Sequence, residues 1–391
     1  MVGAGPAGAD LAGQLAAAGT DVLLIDQLPD LNRAAFSSAA LPIEALERFG
    51  LPSTVVASRW SRWRLFGPGG GQREWGARRH LGVVLDFAAL RHWFVGEARA
   101  WGARVQLGLR ALGCAPQGDG TLLTSLLDRS GVLGSCRSRW VIDATGQARS
   151  LIGEPPAGLP LVSGVRVEWL LSVQESSWQP WADRLSFFLG SSWVPQGYGW
   201  IFPMQSGVLK VGVCRLEDGR HPQPPIAPLL QQLIDRLPEL GPGSWTVIDR
   251  HGGRIRSTLC RREPHRRGRL IALGDAVSTA NLLGGEGIRH ALTSSRVLAP
   301  LLLEAISDDR EGPLHPYPRQ LGRALGRRWR LSGRLARRTW FGLRDAQADG
   351  HLNALLRGLE HRRAEDLSAL LFDYRFERYG LRSLPYLLGW R

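Results

Sequence analysis

The sequence predicts an α/β protein with an α+β insert: a Rossmann-like nucleotide-binding domain, an inserted mostly antiparallel sheet domain and a helical C-terminus. Three observations carry this. Gly3-Ala4-Gly5-Pro6-Ala7-Gly8 reads as Gly-x-Gly-x-x-Gly and opens an Ala-rich helix that Gly19 closes. A short apolar strand, Val22 to Ile25, follows and ends on Asp26. A second strand-to-helix turn, Gly274 to Gly287, returns after a long stretch of alternating apolar residues.

The first turn has a physical logic. Its glycines let backbone amides approach a diphosphate at a helix N-terminus, and an acid about twenty residues on is placed to bind a ribose hydroxyl. Gly3, Gly5, Pro6, Ala7, Gly8 and Asp26 are therefore candidate nucleotide contacts. Arg33 is a candidate for a phosphate or an adenine edge, with a solvated loop position as the alternative. Only Met1 and Val2 precede Gly3, where a strand of about five residues is expected. A few upstream residues are thus predicted in the natural protein.

A chain of 391 residues calls for two or three domains. Apolar and charged contents of 44% and 21% are those of a soluble globular protein. No apolar run is long enough for a membrane span, and no basic-then-apolar leader opens the chain. Cys114, Cys136, Cys214 and Cys260 are scattered, which implies a reduced, cytoplasmic compartment and no structural zinc. No metal site is expected. The net charge of +14 rests on 49 basic residues, of which Lys210 is the single lysine. Such a surface suits nucleic acid, anionic lipid or an acidic partner, or simply reflects arginine at solvated positions. No nucleic-acid-binding motif accompanies the charge, so no nucleic acid is expected.

In chain order, residues 1–58, 80–150 and 246–310 read as one discontinuous nucleotide domain. Residues 59–79 and 151–245 read as the sheet domain, and 311–391 as helices. Trp60 to Trp75 is a hairpin around a Gly-rich turn, and a helix runs from Phe87 to about Trp101. Trp140 to Gly146 is a buried strand stopping on small residues, as a backbone must where it passes close to a ligand. Thr145 and Gly146 join the candidates, as do Gly274 and Asp275 at the next strand end. Gly284, Gly285, Glu286, Gly287 and Ile288 form a second helix N-terminus fit for a phosphate or a ring. Two such turns, with a Thr-Gly strand end between them, argue for one large dinucleotide across a single sheet. Between Gly312 and Arg344 there is no acidic residue. At helical spacing Arg319, Arg323, Arg327, Arg330, Arg334 and Arg337 share a face opposite Leu321, Leu325, Trp329 and Leu335. That helix (319–340) fits peripheral contact with an anionic membrane or packing on its own domain.

Pro195-Gln196-Gly197-Tyr198-Gly199-Trp200-Ile201-Phe202-Pro203 resembles the Pro-x-x-Tyr-x-Trp-x-Phe-Pro signature of the geranylgeranyl reductase family of flavoproteins, which share the p-hydroxybenzoate hydroxylase fold. With both turns and Asp143-Ala144-Thr145-Gly146, the resemblance covers roughly residues 1–300. It implies FAD bound extended, adenosine end near Gly3–Gly8 and Asp26, with Asp275 at the ribityl or diphosphate and Gly284–Gly287 facing the flavin ring. Tyr198 and Trp200 would line the reaction cavity as catalytic residues; a sheet core is their alternative. It also implies hydride transfer to double bonds of a hydrophobic isoprenoid or lipid, with NAD(P)H as a possible electron donor. Several positions depart from the pattern. Gly212-Val213-Cys214 lacks the second glycine of a Gly-x-Gly, and Ser37-Ser38-Ala39-Ala40 stands near the place of a Cys-Gly-Gly. Gly82 replaces a common arginine, and Leu282 a common proline.

Rival readings share the fold. An aromatic hydroxylase usually shows a mid-chain Asp-Gly gripping FAD and NADPH, of which the sequence has no convincing copy, and Lys210 is misplaced for a tryptophan-type halogenase. A lycopene cyclase-like non-redox flavoprotein needs a carboxylic acid. Glu168 and Glu175 are its candidates, and both read as solvent-facing.

Overall fold

Val2 is where the parallel sheet is sewn together. In a computed structural model, which describes residues 1–33, 35, 37–156, 161–219, 222–258 and 262–376, it bridges both Ile25 and Asp143 in parallel. Cys260 and positions 377–391 of the expected helical C-terminus lie outside the described residues. On one side of Val2, Leu23–Asp26 pairs in parallel with Arg104–Leu107; on the other, Val141–Asp143 pairs in parallel with Leu270–Ala272. The helix Pro6–Ala17 starts on an extended Gly5 with Pro6 in its first turn, and Gly19 at φ +79° ends it. Its alanines and Gly13 let it lie close to Phe87–Ala100 and Ile288–Asp308. Asp86 caps the former, its carboxylate accepting from the Ala89 amide at 3.0 Å.

A seven-stranded sheet forms the other layer. Its order is Trp245–Ser257, Val162–Val173, Val208–Leu216, Gly197–Pro203, Arg184–Leu189, Arg62–Phe66 and Gln72–Gly76. Every pair is antiparallel except Arg184–Leu189 with Arg62–Phe66. The hairpin after Trp60 therefore adds to this sheet's edge, and the expected 245/246 division falls inside its first strand. Alternation assigns the faces. Ile201, Val211 and Val213 pack against Leu230, Leu233 and Ile234 of the helix Ala227–Asp235, while Tyr198, Trp200 and Phe202 look the other way.

The C-terminal helix departs from the even amphipathic rod expected. Tyr317–Gly342 breaks at Gly326, whose φ of 87° and ψ of 169° only glycine adopts readily. Past the break the buried stripe is Trp329, Ser332, Gly333, Ala336 and Trp340, with Leu325 and Leu335 only half-buried. The six arginines of the basic face are all exposed, as expected. Among the described residues no helix is long and apolar enough to cross a membrane.

Gly82 sits where relatives of the resembled family carry arginine, and the packing explains its size. A Cβ there would lie 2.2 Å from the Leu41 carbonyl oxygen and 2.4 Å from the buried Trp60 ring. Gly82→Ala is predicted to lower stability by about 1–3 kcal/mol, read as a reduced urea midpoint at unchanged m-value.

Candidate functional site

Three segments far apart in sequence meet with no room for side chains. A Cβ on Gly3 (φ +107°) would lie 2.3 Å from the Ala144 carbonyl oxygen, and one on Gly8 would lie 2.9 Å from the Ala144 Cβ. A Cβ on Gly274 (φ +63°) would lie 3.0 Å from the Ala7 Cβ. Gly5, by contrast, has nothing within 4 Å of such an atom, so its side of the turn is open. Asp26 braces the turn: Oδ2 accepts from the Ala4 amide at 2.7 Å and Oδ1 from the Leu28 amide at 2.8 Å.

Behind these glycines, buried Asp143 accepts from the Thr145 amide and hydroxyl and from the Leu151 and Ile152 amides. It fixes the Thr145-Gly146 strand end. Buried Arg149 donates to the Ala276 carbonyl and, at 2.8 Å, to that of Gly153, tying this strand end to the Gly274–Val277 turn. The Arg33 side chain is exposed, and its carbonyl, with that of Leu31, accepts from buried Arg91. Arg149 and Arg91 were not singled out from sequence, and Asp143 only as the first residue of the Asp143-Ala144-Thr145-Gly146 motif. Each acts through backbone groups, which no motif spacing reveals.

The second turn faces a cavity of about 240 Å³. Pro6, Asp275 and Gly284 to Ile288 line it together with Tyr198 and Trp200; Gly3, Gly5, Ala7, Gly8, Asp26, Arg33, Thr145, Gly146 and Gly274 do not. A Cβ on Gly285 (φ +65°) would lie 3.2 Å from the Tyr198 hydroxyl. Burial raises the Asp275 pKa, against a bond donated by the Thr279 hydroxyl at 2.8 Å. No side chain caps Pro6–Ala17 or Ile288–Asp308, so both helices keep orphan amides at their N-termini beside the cavity-lining Pro6 and Gly287. Open Gly5, uncapped amides and an apolar chamber suit an anionic diphosphate joined to a flat ring.

Tyr198, Trp200 and Phe202 wall the chamber, and Gly212 makes this possible. A Cβ there would lie 2.1 Å from the Trp200 ring. Cys214, at the lost second glycine, pairs across the ladder with Tyr198. Burial pushes the Cys214 thiol up to about 12. Burial, then the neighbouring thiol, raises the Tyr198 hydroxyl well above 10. Ser37 and Ser38 also line the chamber, as do Trp340, whose ring centre is 5.0 Å from that of Tyr198, and Phe372. The Trp329–Trp340 spacing, three helical turns on one stripe, was the available signal for this wall.

Glu286 lines the chamber while its carboxylate is engaged inside the protein. Arg289 pairs with it, and the Tyr374 hydroxyl donates to Oε2 at 3.1 Å and stands 2.9 Å from His290 Nε2. The expectation that Glu168 faces solvent is overturned. It is 3% exposed, and its Oε2 has no hydrogen-bond partner among the described residues. Alternation put it on one face of its strand without revealing which chain segments cover that face. Exposed Glu175 bonds Gln179 and Ser206, as a surface acid does. Lys210, on the strand beside that of Glu168, is buried, donating to the Ser37 and Leu85 carbonyls at 2.8 and 3.1 Å.

No family model matches the chain. It is similar to a digeranylgeranylglycerophospholipid reductase of Haloferax volcanii, 27% identical over 79% of this chain and 76% of that protein. A protein of that name from Methanosphaerula palustris is 26% identical over 95% and 92%. The menaquinone reductase of Mycobacterium tuberculosis is 29% identical over 86% and 82%. Among solved structures, a geranylgeranyl bacteriochlorophyll reductase-like protein from Thermoplasma acidophilum superposes with a TM-score of 0.80 at 20% identity, covering 99% of this chain and 98% of that one. An FAD-bound halogenase does so at 0.67 and 15%, covering 94% and 84%. The fold is that of FAD-dependent oxidoreductases, and the resemblance read from the signature is matched by named homologues.

The Glu286 cluster carries a pH dependence. Burial alone would raise its carboxyl, but Arg289, with His290 behind it, brings it from the ordinary 4.5 down to about 2. A lowered folded-state pKa adds stability that is complete above the unfolded value and is lost as pH falls through the folded one. Urea-unfolding stability is therefore predicted to decline from pH about 4.5 to about 2. Glu286→Gln should remove most of that decline while lowering stability at pH 7.

Proposed function

We propose that this chain, a homologue of the digeranylgeranylglycerophospholipid and menaquinone reductases, is an FAD-dependent oxidoreductase that saturates carbon–carbon double bonds of a hydrophobic isoprenoid or lipid. The observation that carries the reading is an apolar chamber lined by the Gly284–Ile288 turn and Asp275, walled by Tyr198, Trp200 and Phe202, and reached by Pro6 in the first glycine turn. Gly5 to Gly8 and Asp26 would hold the adenosine diphosphate end, Thr145, Gly146, Gly274 and Asp275 the middle, and Gly284 to Ile288 the ring. The parallel sheet with its helices would be the cofactor domain, and the seven-stranded sheet the substrate domain.

Reduced FAD supplies the hydride equivalent. The chain's own residues do the rest. Trp200, Phe202 and Trp340 exclude water and hold an apolar chain against the turn. Tyr198 keeps its proton at neutral pH, with Cys214 beside it. Its hydroxyl, near Gly285, would deliver that proton to the second carbon of the bond. NAD(P)H is the proposed electron donor. A cytoplasmic protein reaching its substrate at a membrane surface would use the exposed arginine face of residues 319–340.

The purified protein is expected to show a flavin absorption spectrum that NADPH bleaches anaerobically. Prenyl products should gain two hydrogens per bond reduced. Unchanged product mass would indicate cyclisation, and substrate-dependent oxygen consumption hydroxylation; either defeats the reading. Tyr198→Phe should lower turnover by about 10²-fold or more at unchanged FAD content.

A further inference from the structure

Behind the aromatic wall of the chamber lies a polar row that the chemistry above does not use. Glu168 stands directly across from Gly212, and Gly212 directly across from Trp200, so all share the chamber face of the seven-stranded sheet. Two residues along the middle strand, Lys210 stands across from Leu170 on one side and Phe202 on the other. Glu168, Trp200 and Lys210 are 3%, 3% and 5% exposed. Trp200 lines the chamber, whereas Glu168 and Lys210 lie behind it.

Each of these side chains keeps unused hydrogen-bonding capacity. Glu168 Oε2 and Trp200 Nε1 are buried with no partner. A lysine ammonium has three donors, and the Ser37 and Leu85 carbonyls accept from Lys210. The Trp200 ring leans across Gly212 toward the strand of Glu168: a Cβ on that glycine would lie 2.4 Å from the indole Cε2, the atom bonded to Nε1. Burial lowers the Lys210 pKa, and Glu168 is foremost among the charges that oppose it, yet no ion pair joins the two among the described residues. Other buried indoles also lack partners. Trp200 is set apart by an unmet carboxylate oxygen across a single glycine. Buried polar groups left unmet are costly, and a buried water typically makes about three hydrogen bonds. Two donors and one acceptor around a common gap are a set that one water satisfies.

We infer that a single buried water accepts from Trp200 Nε1 and Lys210 Nζ and donates to Glu168 Oε2, forming a strut that fixes two walls of the chamber relative to each other. Lys210 holds Ser37, in the wall formed by Ser37 to Leu41, by its carbonyl. Through the water, the same ammonium and its carboxylate hold the indole of Trp200. Glu168 and Lys210 are thus positioning residues. The water is independent of the isoprenoid-reductase reading; its consequence for substrate rests on that reading.

A crystal structure of the FAD-loaded protein is expected to show a water about 3 Å from Trp200 Nε1, Lys210 Nζ and Glu168 Oε2. Direct contact of Glu168 with Trp200 or Lys210, and no water, overturns the inference. E168L would strand the Lys210 charge, so the variant is E168L/K210M, which removes both charges together. In protein carrying isotope-labelled tryptophan, the Trp200 indole N–H resonance, identified by its loss in W200F, should shift in E168L/K210M. With geranylgeraniol as substrate, KM should rise at least about fivefold, the return on one hydrogen bond, and by more than kcat falls, with FAD content retained. An unmoved Trp200 resonance or an unchanged KM overturns the inference alone. Wild-type protein that holds FAD and reduces no prenyl substrate defeats the isoprenoid reading, and the water then stands or falls by the crystal and the resonance.

Discussion

The constraint on which the molecule depends is close approach among Gly3, Gly8 and Ala144, and of Gly274 to Ala7. Three strand ends can converge on one helix N-terminus only because no Cβ intervenes at the crossings. Each glycine costs conformational entropy in the unfolded chain. That cost is offset by a continuous parallel sheet, with Val2 bridging its halves, and by helices close enough to bury an alanine-rich face. Asp143 and Arg149 then lock the crossing from behind with bonds to main-chain groups, so the open side of the turn stays free of side chains.

The C-terminal segment completes a site that the first 300 residues only outline. Trp340 closes the chamber over Tyr198, and Tyr374 reaches back to Glu286 in the turn itself. A buried carboxylate paired with Arg289 and bonded by a tyrosine has its main lone pairs satisfied. Removing one partner would leave the others uncompensated, which makes such clusters costly to break. The geometry of the Gly284–Gly287 turn is therefore tied to Tyr374, in the segment just past the helix Ala364–Leu371 and nearly ninety positions downstream, on the order of a whole small domain in chain length.

What sequence could disclose follows from the kind of constraint. Gly3, Gly8, Gly274 and Gly285 were legible because close approach restricts residue type at fixed spacing. The aromatic wall was legible because Tyr198, Trp200 and Phe202 alternate along one strand. Arg289, His290 and Tyr374 were not, because their partner is chosen by tertiary packing and lies in another segment. Glu168 was misjudged for a related reason: period-two alternation sorts residues into two faces and is silent on which is covered. In Tyr317–Gly342, helical spacing placed the arginines correctly and the apolar stripe only in part, since Gly326 resets the register midway.

The buried position of Lys210 has a bearing on how the protein's charge behaves. With the chain's single lysine bonded to two carbonyls, the surface cations are guanidinium groups, with imidazoles beside them. Guanidinium keeps its proton far above neutral pH and is inert to acylation. The positive field of this molecule is thus permanent: neither acetyl transfer nor alkaline titration through the range of ordinary amines can erase it.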